Sequence, residues 1–432
     1  MRPRVIIVGG GFGGLYAAKA LSHQGVEVTL IDRKNHHTFQ PLLYQVALSV
    51  LSPAEIASSL RHILRRAENI RIMLGEVTGF DLAAKKVKLT GGPELDYDYL
   101  IVAAGARHAY FGKDDWEEHA PGLKTIEDAV EIRNRLLLAF EKAERAALLS
   151  GKQEPLNFAV IGGGPTGVEL AGAIADLTRL GLAKDFKAID TRRARIRLYQ
   201  GSSRVLAGFS EESSRHAVEQ LRELGVEVHT GTRVTEVAPG RIKVGEEWIE
   251  TDVSLWASGV AASPLGRKLG VETDRAGRVP VEPDLSLPQH REVFVIGDMS
   301  KLADANGVEV PGLAAAAMQQ GKVAAENLLR DLRGESRLPF RYRNRGLMAT
   351  VGHHRAVAEF GGRTFHGWFA WILWSLVHVL LLIGFRDRLA VITQWTWAYL
   401  IREGASPLIT EHETPESETQ PSQMKLATKS AD

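Results

Sequence analysis

An α/β fold with two Rossmann-like dinucleotide-binding domains and a separate C-terminal helical region is what this sequence predicts, on three observations. Two glycine fingerprints, Gly9-Gly10-Gly11-Phe12-Gly13-Gly14 and Gly162-Gly163-Gly164-Pro165-Thr166-Gly167, each directly follow a short β-branched run. They stand about a domain length apart, which implies two dinucleotide sites, and a chain that holds two dinucleotides usually passes electrons between them. The last part of the chain then changes character, with a long apolar run rich in Trp and flanked by Arg.

The first unit reads in order. Val5-Ile6-Ile7-Val8 is a buried-strand pattern. The turn after it places Gly9 where the chain bends tightly, Gly11 where backbone approaches a pyrophosphate, and Gly14 where a helix packs on the strand. The helix runs on through Leu15 to Leu21. A second strand, Val26 to Ile31, ends at Asp32, placed to accept hydrogen bonds from a ribose diol, with Arg33 beside it.

The second unit begins with Phe158-Ala159-Val160-Ile161 and uses Gly162, Gly164 and Gly167 in the same three roles. A basic insertion, Arg179 to Arg195, delays the next strand, which ends at Gln200 instead of a carboxylate. An acid there would repel the 2′-phosphate of NADPH and an amide would not, so the site reads as open to NADH, NADPH or both. Arg204, close behind, reads as a solvated loop arginine or, alternatively, a phosphate partner.

Three further apolar strands end in glycine. Leu100 to Gly105 returns from the first unit where the chain crosses to the second, and Val253 to Gly259 is the matching exit. Val293-Phe294-Val295-Ile296-Gly297-Asp298 lets backbone come close at Gly297 and puts the Asp298 carboxylate in reach of a ribityl hydroxyl. The Ala-rich stretch from Pro311 to Leu329 has the spacing of a helix entering beneath a flavin ring.

Composition bounds the rest. The chain has 432 residues, 44% of them hydrophobic, and a formal net charge of +1, which points away from nucleic-acid binding and from overall disorder. It has no cysteine. That excludes disulfides, thiolate metal sites, iron–sulfur clusters and a redox-active dithiol, and no metal site is expected. The first strand starts almost at Met1 with no signal peptide before it, so the N-terminus is expected to stay on the cytoplasmic side.

These residues resemble the two-dinucleotide-binding-domain flavoproteins of the glutathione-reductase type. Within that superfamily Asn35 to Ala47, Pro311 to Gly321 and the apolar C-terminal region resemble type II NADH:quinone oxidoreductases. The resemblance covers residues 4 to 409. It implies FAD in the first site and NADH or NADPH in the second, with hydride transfer to the flavin and then two electrons to ubiquinone, menaquinone or plastoquinone. It also implies a monotopic membrane protein, usually a homodimer, and the sequence shows no run of intramembrane ionisable groups that would support proton pumping. Missing cysteines fit, because dithiol reductases and sulfide:quinone oxidoreductases need them.

Residue by residue, the family implies that Glu169, on the first turn after Gly167, lies near the nicotinamide and flavin. A carboxylate at a helix N-terminus is also favourable without any catalytic reason. Gln319 and Gln320 match a quinone-site motif whose earlier Gln is Ala315 here. Arg345 keeps a cation where members carry Asp-Lys, to stabilise reduced flavin, a quinone oxygen or a lipid phosphate. Phe39, Gln40, Pro41 and Tyr44 form the other loop by the flavin.

A membrane is indicated independently of the resemblance. From Trp368 to Phe385 the chain is nearly all apolar, and an amphipathic stretch follows from Leu389 to Ile401. Five of the eight tryptophans, at 368, 371, 374, 395 and 397, lie here among flanking arginines that include Arg386, Arg388 and Arg402. Trp favours the membrane–water boundary and Arg an anionic lipid surface. Hydropathy by itself leaves open whether 368–385 crosses the bilayer or lies in its plane; the amphipathic neighbour together with the family resemblance favours the in-plane reading, with a buried core or dimer-interface helix as the alternative. His378 reads as a polar-side or packed histidine.

The expected organisation is therefore an FAD domain at 1–118 and 286–335, a NAD(P)H domain at 119–285, a membrane-anchoring region at 336–409 and a disordered tail at 410–432. Two other functions fit the same residues: a flavin-bearing redox sensor responding to NAD(P)H, and a soluble NAD(P)H reductase of ferredoxin or oxygen.

Overall fold

The structure, a computed structural model, describes residues 2–303, 307–401 and 407–410. β1 (Arg4–Val8) leads into α1 (Phe12–Leu21), and β2 (Glu27–Asp32), β3 (Ile70–Leu74) and β4 (Tyr99–Val102) follow. The chain crosses through α2 (Ile126–Ser150) to β5 (Asn157–Ile161), α3 (Pro165–Asp176), β6 (Arg195–Gln200), α4 (Glu211–Glu223), β7 (Val226–Thr230) and β8 (Val253–Trp256). It returns with β9 (Ser286–Leu287), β10 (His290–Val295) and α5 (Ala314–Leu332). Three strands close the chain's α/β part, β11 (Leu347–Gly352), β12 (Arg355–Phe360) and β13 (Arg363–His366), and two helices follow them, α6 (Gly367–Leu381) and α7 (Phe385–Ile401).

The two units repeat one topology. The first sheet has the order β9-β10-β4-β1-β2-β3 and the second β7-β6-β5-β8. Both put the glycine-fingerprint strand beside the returning strand, in parallel. The strand order reverses there, so a crevice opens at the carboxyl ends of β1 and β5. A parallel sheet must be covered on both faces, which is why these strands are apolar without alternation. Val5 and Ile7 face Leu15 and Leu21 of α1 and Leu328 of α5. Ile6 and Val8 face the opposite core with Val102 and Val295.

α2 begins at a capping box: the Thr125 side chain accepts from the Asp128 N–H at 3.1 Å and the Asp128 carboxylate accepts from the Thr125 N–H at 2.9 Å. It stops at Gly151, whose φ of +68° suits a left-handed cap.

Three expectations need correction. Residues 264–281 do not belong to the second unit: Leu269 and Val279 are buried against Ile6 and Val8 of the first. At the return crossing Val260–Ala262 pairs antiparallel with Ala106–His108. Apolar residues at 265–281 carry no mark of which sheet they cover. Second, 368–385 is not one helix. α6 ends at Leu381, the chain turns through Gly384 at φ +98°, and α7 starts afresh. The 15 residues of α6 rise about 22 Å, short of a hydrocarbon core of roughly 30 Å. Among the described residues no helix is long and apolar enough to cross a membrane.

Third, the tryptophans divide. Trp374 and Trp395 are core residues, 1% and 8% exposed, while Trp368 and Trp397 are exposed. Trp374 stacks on His378 with ring centroids 4.2 Å apart, and His378 is packed as expected, its Nδ1 2.7 Å from the Trp374 carbonyl. Thr410, placed in the tail by the sequence, is held by Asn134 and Arg133 of α2. Arg402 and the rest of the tail lie outside the described residues.

Candidate functional site

Both fingerprints build the same cradle. Gly9 and Gly162 sit at φ +104° and +114°, which L side chains rarely adopt. A Cβ on Gly14 would stand 1.8 Å from the Gly9 carbonyl oxygen, and one on Gly167 1.8 Å from that of Gly162, so helix and strand touch only because both positions lack side chains. Gly11 and Gly164 are the N-caps of α1 and α3, extended and without a side-chain cap. A Cβ there would meet nothing within 4 Å. Each helix therefore presents uncapped first-turn N–H groups and its positive dipole end to open space, the chemistry that holds a pyrophosphate.

The residues closing the two cradles also correspond. The Asp32 carboxylate accepts from the Gly10 N–H at 2.5 Å, and the Gln200 carbonyl oxygen from the Gly163 N–H at 2.7 Å. Arg33 is exposed next to Asp32.

A cavity of about 230 Å³ has Ala106, Val260, Gly297, Asp298, Pro311, Gly312 and Gln320 in its lining. Gly297 has φ +71°, and Asp298 forms an ion pair with Lys124 at 3.6 Å. Gln40 reaches the Lys124 carbonyl at 3.4 Å, while Pro41 follows it in the same turn. Gly105 and Gly259, at φ +67° and +96°, flank the paired crossings. Lys124 was not anticipated; it lies between recognisable motifs, and its only signal is its place beside the Thr125 cap.

The half-buried Glu169 adjoins a buried polar chain. Burial pushes its carboxyl up to about 8, against the lowering effect of the hydrogen bond it accepts from the Thr350 backbone. The Thr350 hydroxyl donates to the Tyr44 hydroxyl at 3.1 Å, and the Gln45 amide donates to the same oxygen at 2.9 Å. Trp395 Nε1 donates to the Gln45 carbonyl oxygen at 2.8 Å. Burial, with Glu169 nearby, raises the Tyr44 hydroxyl well above its ordinary value. α3, β11, the Tyr44 loop and α7 are thus joined through one network. Thr350, Gln45 and Trp395 had no sequence motif to mark them.

The two glutamines are both held by hydrogen bonds within the chain. Gln320 is 2% exposed and behind the Asp298 turn: its carbonyl accepts from the Gly297 N–H at 2.6 Å and its amide donates to Ser300 at 3.2 Å. Gln319 donates to the carbonyls of Ala315 and Arg343 and accepts from the Arg343 N–H, so its amide pins residues 341–346 to α5. Arg345 is exposed in that pinned segment, beside Tyr342.

Two dinucleotide cradles on repeated units define the class: residues 3–321 match the family described as pyridine nucleotide-disulphide oxidoreductase, and residues 344–402 match the NDH2 C-terminal domain. The type II NADH:quinone oxidoreductase Ndh of Mycobacterium tuberculosis is 43% identical over 427 residues, covering 95% of this chain and 91% of that protein. The demethylphylloquinone reductase NdbB of Synechocystis is 30% identical, covering 91% and 96%. A structure of NDH2 from Plasmodium falciparum in complex with NADH superposes with a TM-score of 0.85 at 21% identity, covering 94% of this chain and all of that one. The chain belongs to the type II NADH:quinone oxidoreductase family.

Proposed function

We propose that this chain oxidises NADH at its second cradle, holds FAD at its first, and delivers two electrons to a quinone at a lipid surface, as a peripheral membrane homodimer. The uncapped helix end at Gly11, the Asp32 carboxylate and the cavity bounded by Gly297 and Asp298 fit the pyrophosphate, ribose and ribityl groups of FAD. When bound there, FAD supplies the hydride acceptor and the two-electron donor. The protein's own part is to orient and to exclude water. Gly164 and Gln200 fix the nucleotide end of NADH, Gln320 and Lys124 hold the Asp298 turn, and Glu169 keeps a proton at neutral pH beside the reacting groups.

The observation that carries the lipid surface is an uncovered apolar face. Trp368, Phe369, Ile372, Leu376 and Leu380 stand exposed along α6, and Leu389, Ile392 and Trp397 along α7. The opposite sides of the same helices, at Ala370, Trp374, Val391 and Trp395, are buried. Apolar area of this extent on two short adjoining helices suits an in-plane attachment. Lys19 and Lys322 lie 5.3 and 5.5 Å from the Tyr16 ring centre. Burial, then the charges of Arg388 and Lys322, lower the Lys19 pKa.

Steady-state NADH oxidation with soluble ubiquinone and menaquinone analogues tests the activity; a flavin-loaded sample without quinone-dependent turnover would overturn it. The attachment is best tested on the exposed face, since removing α6 and α7 would also strip the core of Trp374 and Trp395. Replacing Trp368, Leu376 and Leu380 together by Ser is expected to weaken vesicle binding by roughly a hundredfold or more, at about 1.5–3 kcal/mol for each large apolar side chain. Unchanged co-sedimentation with vesicles would refute it.

A further inference from the structure

The second cradle carries a cationic edge in a different place from the one the sequence suggested. Arg204 is turned inward: Nη2 donates to the Ala207 carbonyl at 2.9 Å, Nη1 is buried, and its charge acts on Glu359. Arg233 stands at the cradle instead. The loops after β6 and β7 are tied by two backbone hydrogen bonds, from the Thr232 N–H to the Gln200 carbonyl at 2.9 Å and from the Gly231 N–H to the Ser202 carbonyl at 2.7 Å. Those bonds fix Arg233 beside Gly201, with its Nε 3.7 Å from where a Cβ on Gly201 would be. The Arg233 side chain is exposed and has no hydrogen-bond or ion-pair partner among the described residues.

The rest of this edge is neutral. Gln200 has its carbonyl oxygen on the Gly163 N–H and its amide on the Ser202 hydroxyl at 2.5 Å, so it faces the ribose position without a negative charge. Ser202 and Ser203 are exposed on the same loop. A planar cation with free donors, next to hydroxyls and an uncharged ribose residue, is a receptor for a phosphate dianion.

We propose that this edge binds the 2′-phosphate of NADPH, with Arg233 as its counter-ion, so that the second site takes NADPH as well as NADH. This rests on the reading of that cradle as the electron-donor site. Two measurements without quinone test it, so that a failed quinone assay is not confused with a failed specificity. Calorimetry should show adenosine 2′,5′-bisphosphate binding at least as tightly as 5′-AMP, and Arg233→Gln should lower that bisphosphate-to-monophosphate ratio tenfold or more. Anaerobic reduction of the bound flavin should show the same fall in the NADPH-to-NADH rate ratio, and Gln200→Glu should lower it too. A ratio that moves less than twofold in Arg233→Gln overturns the assignment. Binding of neither nucleotide overturns both it and the donor-site reading.

Discussion

Glu169→Gln is expected to lower NADH:quinone turnover about 10- to 100-fold and to remove one limb of its pH profile. Burial holds the Glu169 carboxyl protonated up to about pH 8, far above the ordinary range of a carboxylate. A group of that kind has a proton to give at neutral pH and becomes an unpaired, desolvated anion above pH 8. Wild-type turnover is therefore expected to fall as pH rises through about 8, and the Gln variant to show a low rate with no such fall. Glu169→Asp should keep the limb with a reduced maximum. Identical pH profiles for the wild type and the Gln variant would remove Glu169 from the proton path.

The same group gives a stability signature of opposite sense. An unfolded glutamate releases its proton near 4.5, whereas the folded chain keeps it until about 8. Between those values the unfolded state binds fewer protons, so stability falls as pH rises, by a few kcal/mol at most. Glu169→Gln should melt higher than the wild type above pH 5, with a gap that widens up to pH 8 and then levels. Lower activity with higher stability is a combination that a merely disruptive substitution does not produce.

The two cradles were legible because their chemistry is local. A strand, a turn needing φ > 0, a helix entry without a side chain and a closing polar residue all fall within one short stretch, and the constraint on Gly9 or Gly167 comes from atoms a few residues away. The corrected parts depend on contacts between distant segments. Nothing in the sequence near Leu269 says that it covers Ile6, and Trp374 and Trp395 have the same composition around them as Trp368 and Trp397. The direction of the Arg204 side chain is set by Ala207 and Glu359, and only the pairing of β6 with β7 brings Arg233 to Gln200. A family motif likewise marked Gln319 and Gln320, but only packing showed that Gln319 bonds the Arg343 backbone and that Gln320 bonds the Gly297 N–H and the Ser300 hydroxyl.

Gly172→Ala is expected to be the most damaging single substitution outside the fingerprints, although it would ordinarily favour a helix. A Cβ at this position on α3 would stand 1.6 Å from the Val351 carbonyl oxygen of β11 and 2.5 Å from its carbon. The obstacle is backbone in a strand paired with β12, so no side-chain rotation relieves it. β11 must move off α3, and it carries two contacts with that helix: the Thr350 N–H on Glu169 and the His353 N–H on Asp176, the latter 2.6 Å long. Asp176 is half-buried and its carboxyl is raised to about 6, so losing that donor leaves a desolvated carboxyl without its hydrogen bond. The helix-propensity gain of about 1 kcal/mol is outweighed by overpacking against backbone and by two broken polar contacts, together more than about 3 kcal/mol. The measurable result is a lower melting temperature and impaired quinone turnover. Flavin binding should be better preserved, because the first cradle shares none of these atoms. A stable variant with wild-type turnover would show that α3 and β11 are not held as closely as the 1.6 Å approach requires.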